Sequence, residues 1–384
     1  MLKIAMDCRV LQNPGGGISR FIMAILMQLK NEFEFHLLFA NKNKIPEVLR
    51  SDKRLHIHSM GPAINKTYFI WDHISLPLLL KRIKPDIYHA PANDGLTFIK
   101  IPGIRMLVTL HDMIAALYPG DYKFYTQFKW HTGTRLAIRR ADCIQFDSDY
   151  MQKECSRYFK ITCRNCIRTH LFVENSFAPQ LDKIESKENL FKKLNLRSPY
   201  IVYHGGFMAY KNVNQVIRVF EHLRQHQKRD LQLCLVGRLD GHFKKNVESL
   251  IQDSPYKSDI VTAGYLPDED LSILLSYTRC FLFLSAIEGF GFPPLEAMAC
   301  GAPVVCRQMG SLPECMGEAA LWVGENDSID LIADKVNLVL KDKTASDALK
   351  REGEKRIPYF RLDRFRERMA DVYYSMVNGK SNKI

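Results

Sequence analysis

Residues 285–303 read SAIEGFGFPPLEAMACGAP. They follow the apolar run CFLFLSAI at 280–287, which has the length and composition of a buried strand. They then pass into LEAMA, a run of good helix formers closed by Gly301. A buried strand that enters a helix through a glycine-rich turn is the basic joint of a parallel α/β sheet, and ligands bind just beyond such strand ends. The joint carries Glu288 to the strand's C-terminal edge. Gly289 and Gly291 leave the turn's backbone N–H groups uncovered, and Pro293 and Pro294 stop the strand and pre-set the first helical turn. Glu296 is expected in that first turn.

Working outward, the same alternation recurs along all 384 residues. KIAMDC, EFHLLFA, RLHIHS, DIYHA, RMLVTLH and CIQFDS read as strands of a first half. SRFIMAILMQLKN, HISLPLLLKRIK and a segment within 122–141 read as its crossover helices. After the polar stretch APQLDKIESKENLFKKLNLRSP, YIVYHGG, LQLCLVG, DIVTAG, CFLFLSA, APVVCR and AALWVG repeat the strand pattern. NVNQVIRVFEHLRQH, FKKNVESLIQ, DEDLSILLSY and PLEAMACG supply helices between them. The fold class is therefore α/β, with two Rossmann-like doubly wound domains. The expected domains are 1–185 and 196–358, with an amphipathic helix in 359–384 returning to the first. The length suits two cores of roughly 150–200 residues each.

Composition narrows the class further. At 25% charged and 46% hydrophobic residues the chain is globular, and its apolar runs fall short of the roughly 20 residues of a membrane span. Asp7 and Arg9 interrupt the first apolar run, so MLKIAMDCRV reads as a strand and not a signal peptide. Most of the ten cysteines lie in apolar runs, where the thiol acts as a small hydrophobe, and a cytoplasmic location follows. The Cys163–x–x–Cys166 pair has no second pair or His-x-x-x-His partner for a zinc site. The net charge of +12 is concentrated in residues 1–190, with 27 Lys and Arg against 18 Asp and Glu, which suggests an anionic partner there.

Three further loops follow strand ends. NPGGGISRF, 13–21, lets backbone at Gly16 and Gly17 approach an anion at a helix N-terminus. VTLHDM, 108–113, ends a strand on His111 and Asp112. YHGGFMAYKN, 203–212, brings Gly206 and Lys211 to a place that suits a diphosphate. Carboxylates only accept hydrogen bonds, so Glu288 and Glu296 suit hydroxyl-rich groups such as a hexose and a ribose. A capping or dipole role explains Glu296 but leaves the Glu-Gly-Phe-Gly turn unexplained.

EGFGFPPLEAMACGAPVV resembles the Glu-x7-Glu motif of the family 4 retaining glycosyltransferases of GT-B fold, and is similar to their surface-polysaccharide mannosyltransferases. GGGISRF, LVTLHDM, YHGGFMAYKN and GSLPE (310–314) resemble the family's other loops, so the likeness runs through nearly the whole chain. It implies two domains facing across a cleft, the first binding acceptor and the second the nucleotide-sugar. It implies transfer of a hexose, mannose or similar, from a GDP- or UDP-hexose, with configuration kept, to a glycan or lipid-linked acceptor of O-antigen, capsule or lipopolysaccharide synthesis. The nucleotide-sugar is substrate, so no cofactor is expected, and with no Asp-x-Asp pair at a strand end no metal either. The implied catalytic residues are His111, Lys211 and Glu288. The donor site comprises Gly16, Gly17, Gly206, Lys211, Arg238, Glu288, Gly289, Phe290, Gly291, Leu295 and Glu296. Two features depart from the family. The arginine accompanying the diphosphate lysine is replaced at its usual places by Gly206 and Tyr210, leaving Arg238 and Arg20 as basic alternatives. RTHLFVENSF has no counterpart of the family's Asn-Gly-Val-Asp stretch.

A nucleotide-sugar epimerase or a phosphorylase would keep this fold. A nucleic-acid-binding protein would use the charge but not the paired glutamates, so no nucleic-acid partner is expected. A dinucleotide-dependent dehydrogenase needs the G-x-G-x-x-G that the first loop lacks. Finally, YKFYTQFKWHTGTRLAIRR at 122–140 interleaves basic residues with Tyr122, Phe124, Tyr125, Phe128 and Trp130. That is the composition of an interfacial segment on an anionic membrane, and equally of a crossover helix with its aromatics in the core.

Overall fold

The computed structural model describes residues 1–13, 15–59, 70–96, 100–121, 123–161, 165–238 and 243–378. The chain forms two compact units, Met1–Leu171 with the segment from Leu362, and Phe172–Arg361. Each is a parallel sheet with crossover helices, as the alternation of apolar runs and amphipathic segments requires.

The first unit holds strands β1 (Lys3–Asp7), β2 (Glu34–Phe39), β3 (Leu55–Ser59), β4 (Ile87–Ala90), β5 (Arg105–Leu110), β6 (Cys143–Phe146) and β7 (Cys166–Arg168). Their order is β3-β2-β1-β4-β5-β6-β7, and every pairing is parallel. Covered on both faces, the central strands are apolar throughout: Ile4, Ala5 and Met6 are fully buried, as are Leu107 and Val108. Helix Gly16–Leu29 lies against helix Leu362–Asn378, where the Phe21 ring meets Phe365 edge-on at 5.7 Å. Tyr373 of the C-terminal helix donates to or accepts from His89 of β4 at 2.9 Å.

The second unit holds β8 (Tyr200–His204), β9 (Gln232–Val236), β10 (Ile260–Gly264), β11 (Cys280–Phe283), β12 (Val304–Arg307) and β13 (Ala320–Val323). Their order is β10-β9-β8-β11-β12-β13, again all parallel. The order reverses direction at the β8/β11 pair, and in an open α/β sheet the crevice at that switch point is where ligands bind.

Three local differences from the sequence reading have physical causes. The polar stretch after residue 178 contains a helix, Ile184–Leu194. Beyond the exposed Ile184, its apolar residues are Leu190, Phe191 and Leu194 among lysines and glutamates; Phe191 packs edge-on against Tyr200 at 5.4 Å, and Asn195 ends the helix at φ 52°. HISLPLLLKRIK is not one regular helix: a π-helical turn, Trp71–Ser75, precedes Leu76–Ile83. Pro77 lacks the N–H that a continuous helix needs at that point. The short edge strand Cys166–Arg168 lies in KITCRNCIR, whose Cys163 is outside the described residues.

Candidate active site

The loops that end β8 and β11 meet at the switch point of the second unit. Asn212, at φ 52°, opens helix Val213–Gln225 and donates through Nδ2 to the Leu284 carbonyl at 3.0 Å. The Ala286 N–H donates to the Tyr210 carbonyl at 2.8 Å. With the two loops tied on either side, Lys211 Nζ reaches Glu288 Oε1 at 2.5 Å, and both side chains are about 9% exposed. The ammonium also lies 5.1 Å from the Tyr210 ring and 5.6 Å from the Phe283 ring. A lysine and a glutamate 77 positions apart are thus one buried ion pair.

The backbone around Glu288 is held from the other side by GSLPE. Gly310 has φ 63°, and a Cβ there would sit 2.8 Å from the Glu288 carbonyl oxygen, so only glycine allows the approach. Ser311 then donates its hydroxyl to that carbonyl at 3.1 Å. Gly291, at φ 100°, precedes helix Phe292–Ala299, and Pro293 lies within its first turn. Glu296 falls in the second turn, one residue beyond the expected position, because Phe292 already counts as the first helical residue. Its carboxylate is buried and lies 3.1 Å from His204 Nε2, at the end of β8. Among the described residues His204 Nδ1 is buried with no hydrogen-bond partner.

Gly289 is buried in the bend that follows Glu288. The Phe290 side chain is core, packing on Phe292 at 5.8 Å and Phe360 at 6.0 Å, and Cys315 Sγ donates to its carbonyl at 3.2 Å. Leu295 is fully buried. Gly206 accepts from the Tyr203 hydroxyl, which burial pushes well above the usual tyrosine range. Arg238 follows β9, with its guanidinium 5.1 Å over the exposed Tyr265 ring.

In the first unit, Gly16 opens the 14-residue helix Gly16–Leu29 at φ 75° with open space where a Cβ would point. Gly17 follows it in the first turn, and Gly15 and Ser19 exchange hydrogen bonds at 3.2 Å. Pro14 is outside the described residues. Phe21 of that helix meets the His111 ring edge-on at 4.9 Å. His111 is buried, with Nδ1 2.6 Å from Asp147 Oδ2 and Nε2 2.8 Å from the Pro91 carbonyl. Asn93 Oδ1 accepts from its backbone N–H at 2.8 Å. The partner acid is therefore Asp147; the adjacent Asp112 instead accepts from the Ile114 N–H at 3.1 Å. Burial alone would lower the His111 pKa. The Asp147 charge, its hydrogen bond and the Pro91 carbonyl outweigh burial and raise it. With both ring nitrogens facing acceptors, the surroundings of His111 favour the protonated ring, which can donate at both positions.

Asp147 and His204 were missed in the sequence. Asp147 follows the strand run CIQF and His204 closes the strand run YIVYH, so a polar residue at a strand's C-terminal end was the available signal. Also missed was the grip of Asp7 and Asp72 on Arg9, at 2.6 and 2.8 Å, beside the Trp71 ring.

Comparison with known proteins places these features in a family. Residues 15–170 match the model of Glycosyltransferase Family 4, and residues 186–356 that of Glycosyl transferases group 1. The chain is 27% identical over 358 residues to the O-antigen chain mannosyltransferase B of Escherichia coli, covering 89% of this chain and 91% of that one. Among solved structures it resembles sucrose-phosphate synthase from Thermosynechococcus elongatus, with TM-score 0.79, 17% identity, and 99% and 100% of the two chains covered. It also resembles Anabaena HepE in complex with UDP and glucose, with TM-score 0.75, 16% identity, and 98% and 100% covered. Two parallel-sheet, Rossmann-like domains with these neighbours make the GT-B fold. The chain belongs to the family 4 glycosyltransferases and is a hexosyltransferase.

Proposed function

We propose that the enzyme moves a mannose-class hexose from a GDP- or UDP-linked donor to a lipid-linked glycan of surface-polysaccharide synthesis, with the anomeric configuration retained. The observation that carries this reading is the buried Lys211–Glu288 pair at the switch point. Breaking a glycosyl–phosphate bond develops positive charge on the sugar ring and negative charge on the departing diphosphate. Lys211 supplies the opposing charge where water is largely excluded, so its interaction with the leaving group is strong. Without donor, Glu288 neutralises that lysine. An arriving diphosphate competes for the ammonium and leaves the Glu288 oxygens to accept from sugar hydroxyls. Glu296, held by His204, offers its acceptor to a ribose.

The mannose assignment is supported by the similarity to the Escherichia coli mannosyltransferase, and the nucleotide-sugar by HepE, solved with UDP and glucose. A donor screen tests it. Nucleoside diphosphate released only when a lipid-linked glycan acceptor is present supports transfer. Release without acceptor, or sugar interconversion with no release, favours a phosphorylase or an epimerase.

Among the described residues no helix is long and apolar enough to cross a membrane. Membrane contact in this reading comes from helix Phe124–Arg140. Phe124, Tyr125 and Phe128 are 82%, 74% and 59% exposed, and Arg135, Arg139 and Arg140 are exposed as well. Two members of the segment do not contribute. Trp130 packs on Phe159 at 6.1 Å, and Lys129 turns towards Asp94 at 4.0 Å. Tyr122 is outside the described residues. Aromatics among headgroups and arginines beside an anionic leaflet, each worth about 1 kcal/mol, hold the enzyme at the surface that carries its acceptor. Co-sedimentation with anionic liposomes should fall with salt and with Arg135, Arg139 and Arg140 changed to Glu. Protein left in the supernatant at low salt would exclude this contact.

A further inference from the structure

One cluster of metal-ligating side chains lies outside the residues used above. In the first unit β3 is the edge strand and pairs with β2 so that His36 stands directly opposite His56. The two-residue period of a strand places Glu34 with His36, and His56 with His58, on a common face. Glu34 Oε1 is 2.8 Å from His36 Nε2 and 3.9 Å from His56 Nε2. His36 Nδ1 is 2.8 Å from His58 Nε2. The His36 ring is stacked between the other two, with centroids at 4.8 and 5.0 Å. His36 is 8% exposed, whereas Glu34 and His56 reach solvent. Lys3 Nζ lies 3.8 Å from Glu34 Oε1.

We propose that Glu34, His36 and His56 form a site for a first-row divalent cation of the zinc type, with His58 orienting His36. Among the described residues, the three ligand atoms already lie within 4.8 Å of one another. Tetrahedral zinc with bonds of about 2.0–2.1 Å needs ligand atoms about 3.3 Å apart. The Glu34–His36 distance is slightly shorter and the Glu34–His56 distance slightly longer, and the exposed His56 side chain can rotate to close the gap. Ligated through Nε2, His36 carries its proton on Nδ1 and donates it to His58 Nε2. That is the usual outer hydrogen bond that fixes a ligating imidazole. Two imidazoles and one carboxylate select zinc, nickel or copper over magnesium and calcium. Three protein ligands leave a fourth position for water. The cation would bridge β2 to the sheet's edge strand. The three ligands lie in the N-terminal halves of these strands, whereas the Gly16 and His111 loops leave the C-terminal ends of β1 and β5.

The test is calorimetric titration of the metal-free, untagged full chain with zinc chloride, with cobalt(II) absorption as a report of coordination geometry. One equivalent should bind in the micromolar range or tighter, and cobalt should give the intense bands of a tetrahedral site. Glu34→Gln and His56→Ala, at solvent-reaching positions, should each weaken that binding at least tenfold. His58→Ala should weaken it by about 10–100-fold, the usual loss for an outer partner. The rate of sugar transfer with metal-free protein should be unchanged in all three. Wild-type protein that binds no zinc at 100 μM, or variants that bind it as wild type does, would overturn the site.

Discussion

Replacing Glu288 with alanine would leave the buried Lys211 side chain without its 2.5 Å partner. The Tyr210 and Phe283 rings at 5.1 and 5.6 Å are already in contact in the wild type and do not replace that partner. Removing one member of a buried pair costs about 3–5 kcal/mol, and the slight solvent access of this pair lowers the figure, so Glu288→Ala should destabilise the second unit by roughly 2–4 kcal/mol. Lys211→Met in the same background removes the stranded charge and keeps most of the aliphatic stem, so the double variant should regain about 2–3 kcal/mol. Hydrogen exchange at Phe281, Leu282 and Phe283 reports opening of the second unit alone. Their protection should fall about 30- to 1,000-fold in Glu288→Ala and largely recover in the double variant, since 1.4 kcal/mol is tenfold. Transfer should be lost in both. If the two single changes add without recovery, the residues do not act as a pair, and the view that donor diphosphate competes with Glu288 for Lys211 fails.

Glu296→Gln should weaken nucleoside diphosphate binding about tenfold or more, because it removes a charged acceptor; unchanged affinity by calorimetry would return Glu296 to a purely structural role. Gly291→Ala puts a Cβ 2.4 Å from Leu312 Cδ2 at φ 100°, and Leu312 is fully buried, so roughly 1–3 kcal/mol of stability should be lost in thermal unfolding. The His111 pKa is raised on folding, so its contribution to first-unit stability is complete below about pH 6.5 and is lost as pH rises through the raised value. Asp147→Asn should flatten that dependence and bring the imidazole titration, read by NMR, downward; an unmoved titration would contradict the pairing.

Much of this molecule was legible in its residues. All the strands except Cys166–Arg168 announce themselves: the central ones because strands buried on both faces must be apolar throughout, the partly exposed edge strands β3 and β10 by shorter apolar patterns. The Glu-Gly-Phe-Gly turn likewise marks the switch point, because only glycine serves at Gly291. Partnership was not legible. His111 looks joined to its neighbour Asp112, yet the ring turns to Asp147 just past the end of the adjacent strand, 36 positions on. Glu296 looks like a helix-start acid, yet it lies in the second turn against His204. Local patterning decides where a strand ends, whereas contacts between strand ends depend on the order of strands in the sheet. Helix Ile184–Leu194 was hidden for a different reason: four apolar residues among lysines and glutamates resemble a linker until Tyr200 is there to receive Phe191.

The central claim is transfer with retention at the Lys211–Glu288 site. The most direct measurement is proton NMR of the product made from an α-linked GDP- or UDP-hexose and a soluble analogue of the lipid-linked glycan, with Glu288→Gln run alongside. The reading predicts an α-glycosidic product from wild type, one nucleoside diphosphate released per bond formed, and a rate at least 100-fold lower for the variant. A β-linked product, or a variant turning over at the wild-type rate, would contradict it.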